Sequence, residues 1–127
     1  MFQKILNFFK KDQMKKINDD LYVGPQINSN DISNLVEMGI KSIVCNRPDN
    51  EGEGQTNFET IQNVAQENNL KVHYIPFSAG KMTSDDVVQF SKVLKDGPFP
   101  IFAYCLGGVR SAQIASSAYQ LIEEENK

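Results

Sequence analysis

The 127-residue chain has no tryptophan, one histidine and only two cysteines, Cys45 and Cys105. Neither cysteine stands in a metal-ligand spacing and a lone histidine adds little, so no zinc site and no other cofactor is expected. Two cysteines are too few for a disulfide scaffold, and such usage fits a reducing, cytoplasmic setting. No apolar run reaches the ~18 residues that a membrane span needs. Positive charge is also scarce. Thirteen Lys and Arg against sixteen Asp and Glu leave a net charge of -3, which argues against general nucleic-acid binding, since that wants a basic face. Any positive field at a functional site must then be local.

What is present is an ordinary globular composition, 40% hydrophobic and 23% charged. The length is that of one domain able to bury a core. Residues 1–16 stand apart from the rest. Phe2, Ile5, Leu6 and Phe9 recur at helical spacing, and Lys4, Lys10, Lys11, Lys15 and Lys16 make the segment basic. The spacing predicts an amphipathic helix or arm over residues 1–18, either packed on the domain or held against a membrane surface or a protein partner. The domain proper is expected over residues 19–127.

From Leu21 the pattern alternates. Apolar runs at residues 21–23, 41–46, 71–76 and 101–104 read as strands. Helical spacing follows each, at residues 28–38, 57–69, 83–96 and from Ala112 onward. Strands alternating with helices predict an α/β fold, a mostly parallel sheet of about four to five strands flanked by helices. Thr83-Ser84-Asp85-Asp86 has the form of a capping box. His73, alternating with apolar neighbours in a strand, reads as structural.

The chemistry concentrates in Tyr104-Cys105-Leu106-Gly107-Gly108-Val109-Arg110-Ser111. A strand runs into a tight glycine loop and then into a helix. A helix N-terminus presents unpaired N–H groups and partial positive charge to an anion. Gly107 and Gly108 let successive amides curl inward, so Leu106, Gly107, Gly108 and Val109 are candidate anion-binding positions. Arg110 adds a planar two-pronged donor. A thiolate facing such a ring is stabilised, which makes Cys105 a candidate nucleophile toward an anionic substrate. Residues 47–56 form a polar loop after the strand ending near Asn46, where open α/β sheets place ligands. Arg47 is there as a second anion contact or a structural arginine. Asp49 is there as an acid or a loop cap.

Over roughly residues 19–122 the chain resembles the cysteine-dependent phosphatase superfamily, whose signature is Cys-x5-Arg-Ser/Thr. More closely it is similar to the small bacterial phosphatase-like family also found fused in beta-lactamase-hydrolase-like proteins. The resemblance is carried by Leu21-Tyr22-Val23-Gly24-Pro25-Gln26, Ile43-Val44-Cys45-Asn46-Arg47-Pro48-Asp49, Tyr74-Ile75-Pro76 and the Cys105 loop. It implies a dual-specificity or tyrosine phosphatase fold. Cys105 would attack phosphorus and Arg110 would hold the phosphoryl oxygens. Ser111 would donate to the Cys105 sulfur, or bond in the first turn of the helix. The family's general acid would lie on the loop after residues 72–76. That loop reads Phe77-Ser78-Ala79-Gly80-Lys81 and holds no acid, leaving Asp49, Asp85 and Asp86 as candidates and favouring aryl phosphates, which need little protonation. Cys45 is a candidate redox partner of Cys105, as in related phosphatases, or a core residue.

Two departures matter. Four residues, not five, separate Cys105 from Arg110, and Tyr104 stands where standard phosphatases have a histidine. The short ring is similar to that of rhodanese-type sulfurtransferases. A Cys105 persulfide is therefore the alternative chemistry, with a sulfur-containing anion as substrate. A non-catalytic anion-binding adaptor is the third alternative.

Overall fold

The computed structural model describes residues 11–127. The apolar stripe of Phe2, Ile5, Leu6 and Phe9 lies outside the described residues. The elements are β1 (Lys15–Asn18), β2 (Leu21–Gly24), α1 (Ile32–Glu37), β3 (Ser42–Cys45), α2 (Phe58–Glu67), β4 (Lys71–Tyr74), α3 (Ser84–Asp96), β5 (Ile101–Tyr104) and α4 (Val109–Glu125). The sheet order is β1-β2-β5-β3-β4. β2, β5, β3 and β4 run parallel, and β1 joins the edge antiparallel to β2. The α/β fold read from the alternation is the fold observed.

β1 is the departure from that reading. Residues 15–18, expected in a helical arm, form an edge strand, and residues 11–13 a 3-10 turn. Lys15-Lys16-Ile17-Asn18 is almost wholly exposed. Only Ile17 is partly buried, against the core, and one apolar position in an edge strand shows no alternation to read.

Every residue of β5 is buried. Side chains alternate across the sheet, so Ile101 and Ala103 join the core under α3 and α4, with Phe90, Val93, Leu94, Ile114 and Ala118. Phe102 and Tyr104 join the opposite core under α1 and α2, with Ile32, Leu35, Ile61 and Ala65. β5 pairs on both sides, Leu21 and Ser42 both opposing Ile101. It is the central strand of the sheet, and the loop leaving its C-terminal end starts from a fixed point. The parallel strands β2, β3 and β4 end at the same edge, so the segments after them converge on that loop.

Candidate active site

The loop is fixed from β5 outward. The Cys105 N–H donates to the Gly24 carbonyl at 3.3 Å, and the Gln26 N–H to the Leu106 carbonyl at 3.1 Å. The segment after β2 therefore braces the turn. Gly108, directly before α4, has φ +105°, the left-handed region that favours glycine. A Cβ there would lie 3.4 Å from the Gly24 backbone. With the chain turned this way, the Gly108 N–H donates to Cys105 Sγ at 3.0 Å. The sulfur thus lies against the amide that precedes the first turn of α4. Leu106 and Val109 stand out to solvent while Cys105 is 1% exposed.

Arg110 is buried on the first turn of α4. Its Nη1 donates to Glu51 Oε2 at 2.8 Å and to the Phe77 carbonyl at 3.0 Å, and its Nη2 donates to Glu51 Oε1 at 2.7 Å. Those bonds take the Nη1–Nη2 end of the guanidinium and the outer side of Nη1. The Nε–H and the second Nη2–H lie parallel on the remaining edge, the pair that grips an oxyanion two-pronged. The Glu51 carboxylate raises the Arg110 pKa most, and the Cys105 sulfur adds to the same direction. Two arginines hold the Glu51 carboxyl down at about 2, the Arg110 hydrogen bonds being the largest cause.

The second of those arginines is Arg47. It was expected as a second anion contact or a structural arginine, and its donors go to the loop and to the segment after β2. Nε bonds Glu51 Oε1 at 2.9 Å and Nη1 bonds Gln26 Oε1 at 3.1 Å. A Cβ on Gly52 would come within 2.6 Å of Arg47 Nη2, so that glycine is what lets the loop close over the guanidinium. Asp49, considered as an acid, accepts the Phe58 N–H at the start of α2 at 2.8 Å. Asp86 completes the capping box of α3 with Thr83, and Asp85 is exposed in the first turn of that helix.

Ser111 is fully buried, and its hydroxyl donates to Asn46 Oδ1 at 2.8 Å. The expected donation to the Cys105 sulfur is not the bond that forms. Cys45 and Cys105 are both free thiols. Cys45 sits in the core under α1 and α2, and its Sγ donates to the Arg47 carbonyl at 3.2 Å. Burial pushes its thiol up to about 11. Tyr104, at the position of the superfamily's histidine, is fully buried beside it, and burial raises its pKa too. Among the described residues no group of His, Cys, Asp and Glu could hold a metal ion, and no helix is long and apolar enough to cross a membrane.

Glu51 and Asn46 were missed in the sequence. Glu51 reaches a partner 59 positions away and Asn46 one 65 positions away; Asn46 lies in the Ile43–Asp49 stretch that carries the resemblance but had no role there, and no local pattern marks Glu51.

Residues 13–121 match the family described as the phosphatase-like domain of beta-lactamase hydrolase-like proteins. The chain belongs to that family. A beta-lactamase hydrolase-like protein of Agrobacterium fabrum is 31% identical over 96 residues, which cover 76% of this chain and 22% of that protein. The chain thus spans about a fifth of the length of the curated relatives it matches. A crystallised candidate phosphatase from Neisseria meningitidis superposes with a TM-score of 0.74 at 31% identity, over 80% of this chain and 72% of that one. A second, from Shewanella putrefaciens, gives 0.74 at 19% identity over 90% and 71%, a likeness of fold. The family and the Neisseria structure support a phosphatase-type activity.

Proposed function

We propose that this chain is a cysteine-dependent phosphatase that hydrolyses phosphate monoesters, aryl (phosphotyrosine-type) esters before alkyl ones, through a phosphocysteine on Cys105. The observation that carries this is the Cys105 sulfur held 3.0 Å from the Gly108 N–H at the start of α4, with one edge of Arg110 left unclaimed by Glu51. The sulfur attacks phosphorus, and the ester oxygen leaves with its bonding pair. The loop amides and Arg110 take up the charge that grows on the equatorial oxygens. Water then attacks phosphorus, the S–P bond breaks, its electron pair returns to sulfur and the water proton passes to solvent.

Aryl esters are favoured because a phenolate departs without much protonation. Glu51 is ionised at neutral pH and so is no acid. Asp49 and Asp86 are engaged as caps. The substrate is an anionic phosphorylated molecule, and no metal or cofactor takes part in these steps.

The four-residue spacing between Cys105 and Arg110 favours a second chemistry, sulfur transfer, since a persulfide sulfur needs less room than a phosphoryl group and no leaving oxygen to protonate. Release of phosphate from p-nitrophenyl phosphate, measured for wild type beside Cys105→Ser, separates the two. Turnover that disappears in the serine variant supports the phosphatase. No turnover by reduced, folded wild type, with thiocyanate formed from thiosulfate and cyanide, replaces it with the sulfurtransferase. No turnover of either substrate leaves the adaptor.

A further inference from the structure

β1 runs antiparallel to β2, with Lys15 opposite Val23, while β2 and β5 run parallel, with Gly24 opposite Tyr104. The start of β1 therefore lies at the edge of the sheet from which the Cys105 loop leaves. The chain before β1 enters the fold beside that loop. A mainly apolar groove of ≈ 520 Å³ opens at this point. Gln13 and Lys15 line one side of it, and Gly107, Gly108, Val109 and Ala112 the other. One wall is thus the Cys105 loop and the first turn of α4. Val109 is 68% exposed, the most open of the large hydrophobic side chains among the described residues. The groove has the size of cavities that bury a small molecule or several side chains, and apolar walls of that extent are unfavourable in water.

Ten residues precede Lys11, and they carry Phe2, Ile5, Leu6 and Phe9 at the spacing of one helical face. Phe9 is four residues from Gln13. That tether spans about 6 Å as helix and at most about 14 Å extended. The stripe therefore starts within reach of the groove, at an effective concentration in the millimolar range. Two other exposed hydrophobic rings lie away from it. Phe99 precedes β5, at the opposite end of the strands, and Tyr74 stands on β4, at the far edge of the sheet.

We propose that residues 2–9 lay their apolar stripe into this groove, so that the segment forms a wall of the site beside Gly107, Gly108 and Val109. The stripe covers Val109 and Ala112, and the groove covers the stripe. The glycine pair has no side chains of its own to pack, and the segment supplies the apolar support on that flank. Docking also carries Lys4 and Lys10 to the neighbourhood of the anion loop, the local positive charge that a chain of net charge -3 needs there. The segment takes this place whether Cys105 transfers a phosphoryl group or sulfur.

Nuclear Overhauser contacts in the full wild-type chain test the proposal. The Ile5 and Leu6 methyls should show contacts to the methyls of Val109 and Ala112. A stripe that touches other residues, or none, overturns it. A sample mixing isotope-labelled and unlabelled protein reveals a second copy as the occupant; contacts seen only between chains overturn the proposal. So does a stripe without contacts in solution that inserts into phosphatidylglycerol vesicles, which would make the segment a membrane anchor.

Dye binding carries the same question into variants. Ile5→Ser with Leu6→Ser should uncover the groove, and the fluorescence of anilinonaphthalene sulfonate should rise severalfold. Ser116 is an exposed position of α4 that lines the groove outside the Cys105 loop. Ser116→Trp should fill the groove, abolish that rise and erase the contact between Ile5 and Val109. Fluorescence unchanged by the paired serine substitutions overturns the proposal, as does a rise that Ser116→Trp leaves intact. These variants keep Cys105, Arg110 and Glu51, and circular dichroism checks that they fold.

Discussion

Glu51 shows how one carboxylate organises the site. It takes one end of Arg110, and Arg47 holds it in place from behind. Replacing it with glutamine keeps the size but puts an NH2 against the Arg110 donors. It also leaves two buried guanidiniums, at 6% and 8% exposure, without their counter-charge, an arrangement that is costly in a protein interior. Turnover of an aryl phosphate by Glu51→Gln should fall about 10- to 100-fold with a raised KM, as expected when a charged oxyanion clamp loses its orientation. Glu51→Asp should recover part of it. Steady-state kinetics on protein checked by circular dichroism decide this, and unchanged kcat and KM would remove Glu51 from the site. Residues of this kind lie beyond what a sequence shows. The placing of Cys105, Arg110 and Ser111 around one turn was legible because the loop and the helix start are contiguous; the Ser111 bond to Asn46 was not. Glu51 and Asn46 were not, because they acquire meaning only when β3 is laid beside β5.

At the scale of elements, legibility followed burial. β3 and β5 are buried along their whole length and appear in the sequence as continuous apolar runs, as strands covered on both faces do. β1 is polar and exposed and left no mark. The start of α3 was marked, since Thr83-Ser84-Asp85-Asp86 reads as a capping box and the structure forms it. Thr83 Oγ1 accepts the Asp86 N–H at 3.1 Å, and Asp86 Oδ2 accepts the Thr83 N–H at 2.9 Å. Thr83→Ala should cost about 1 kcal/mol, a fall of roughly 4 °C in the thermal midpoint for a domain of this size. Phosphate turnover per folded molecule should not change, because both bonds of the Thr83 cap are made with Asp86. Scanning calorimetry with a parallel assay checks both halves; a thermal midpoint equal to wild type would mean that the cap contributes nothing to α3.

At the scale of the whole molecule, the Glu51 cluster ties the segments around the site into one unit. Through Glu51, Arg47, Arg110, Gln26 and Phe77, the chain after β2, β3, β4 and β5 is joined at the same edge of the sheet. This network gives stability its own dependence on acid. The Glu51 carboxyl is held down to about 2 from an ordinary 4.5, so the folded state favours the ionised form. The contribution is fully present above the unfolded value and is lost as pH falls from about 5 toward 2, where protonation breaks both arginine contacts. Allowing for the 27% exposure of the Glu51 side chain, the loss should be on the order of 2 kcal/mol. In urea unfolding followed between pH 7 and 2, wild type should therefore lose stability more steeply than Glu51→Gln. The variant is the less stable at neutral pH, and the two curves should approach each other in acid. Parallel curves would mean that Glu51 titrates as an ordinary surface carboxylate, and that Arg110 is held at the site by the Phe77 carbonyl and by packing alone.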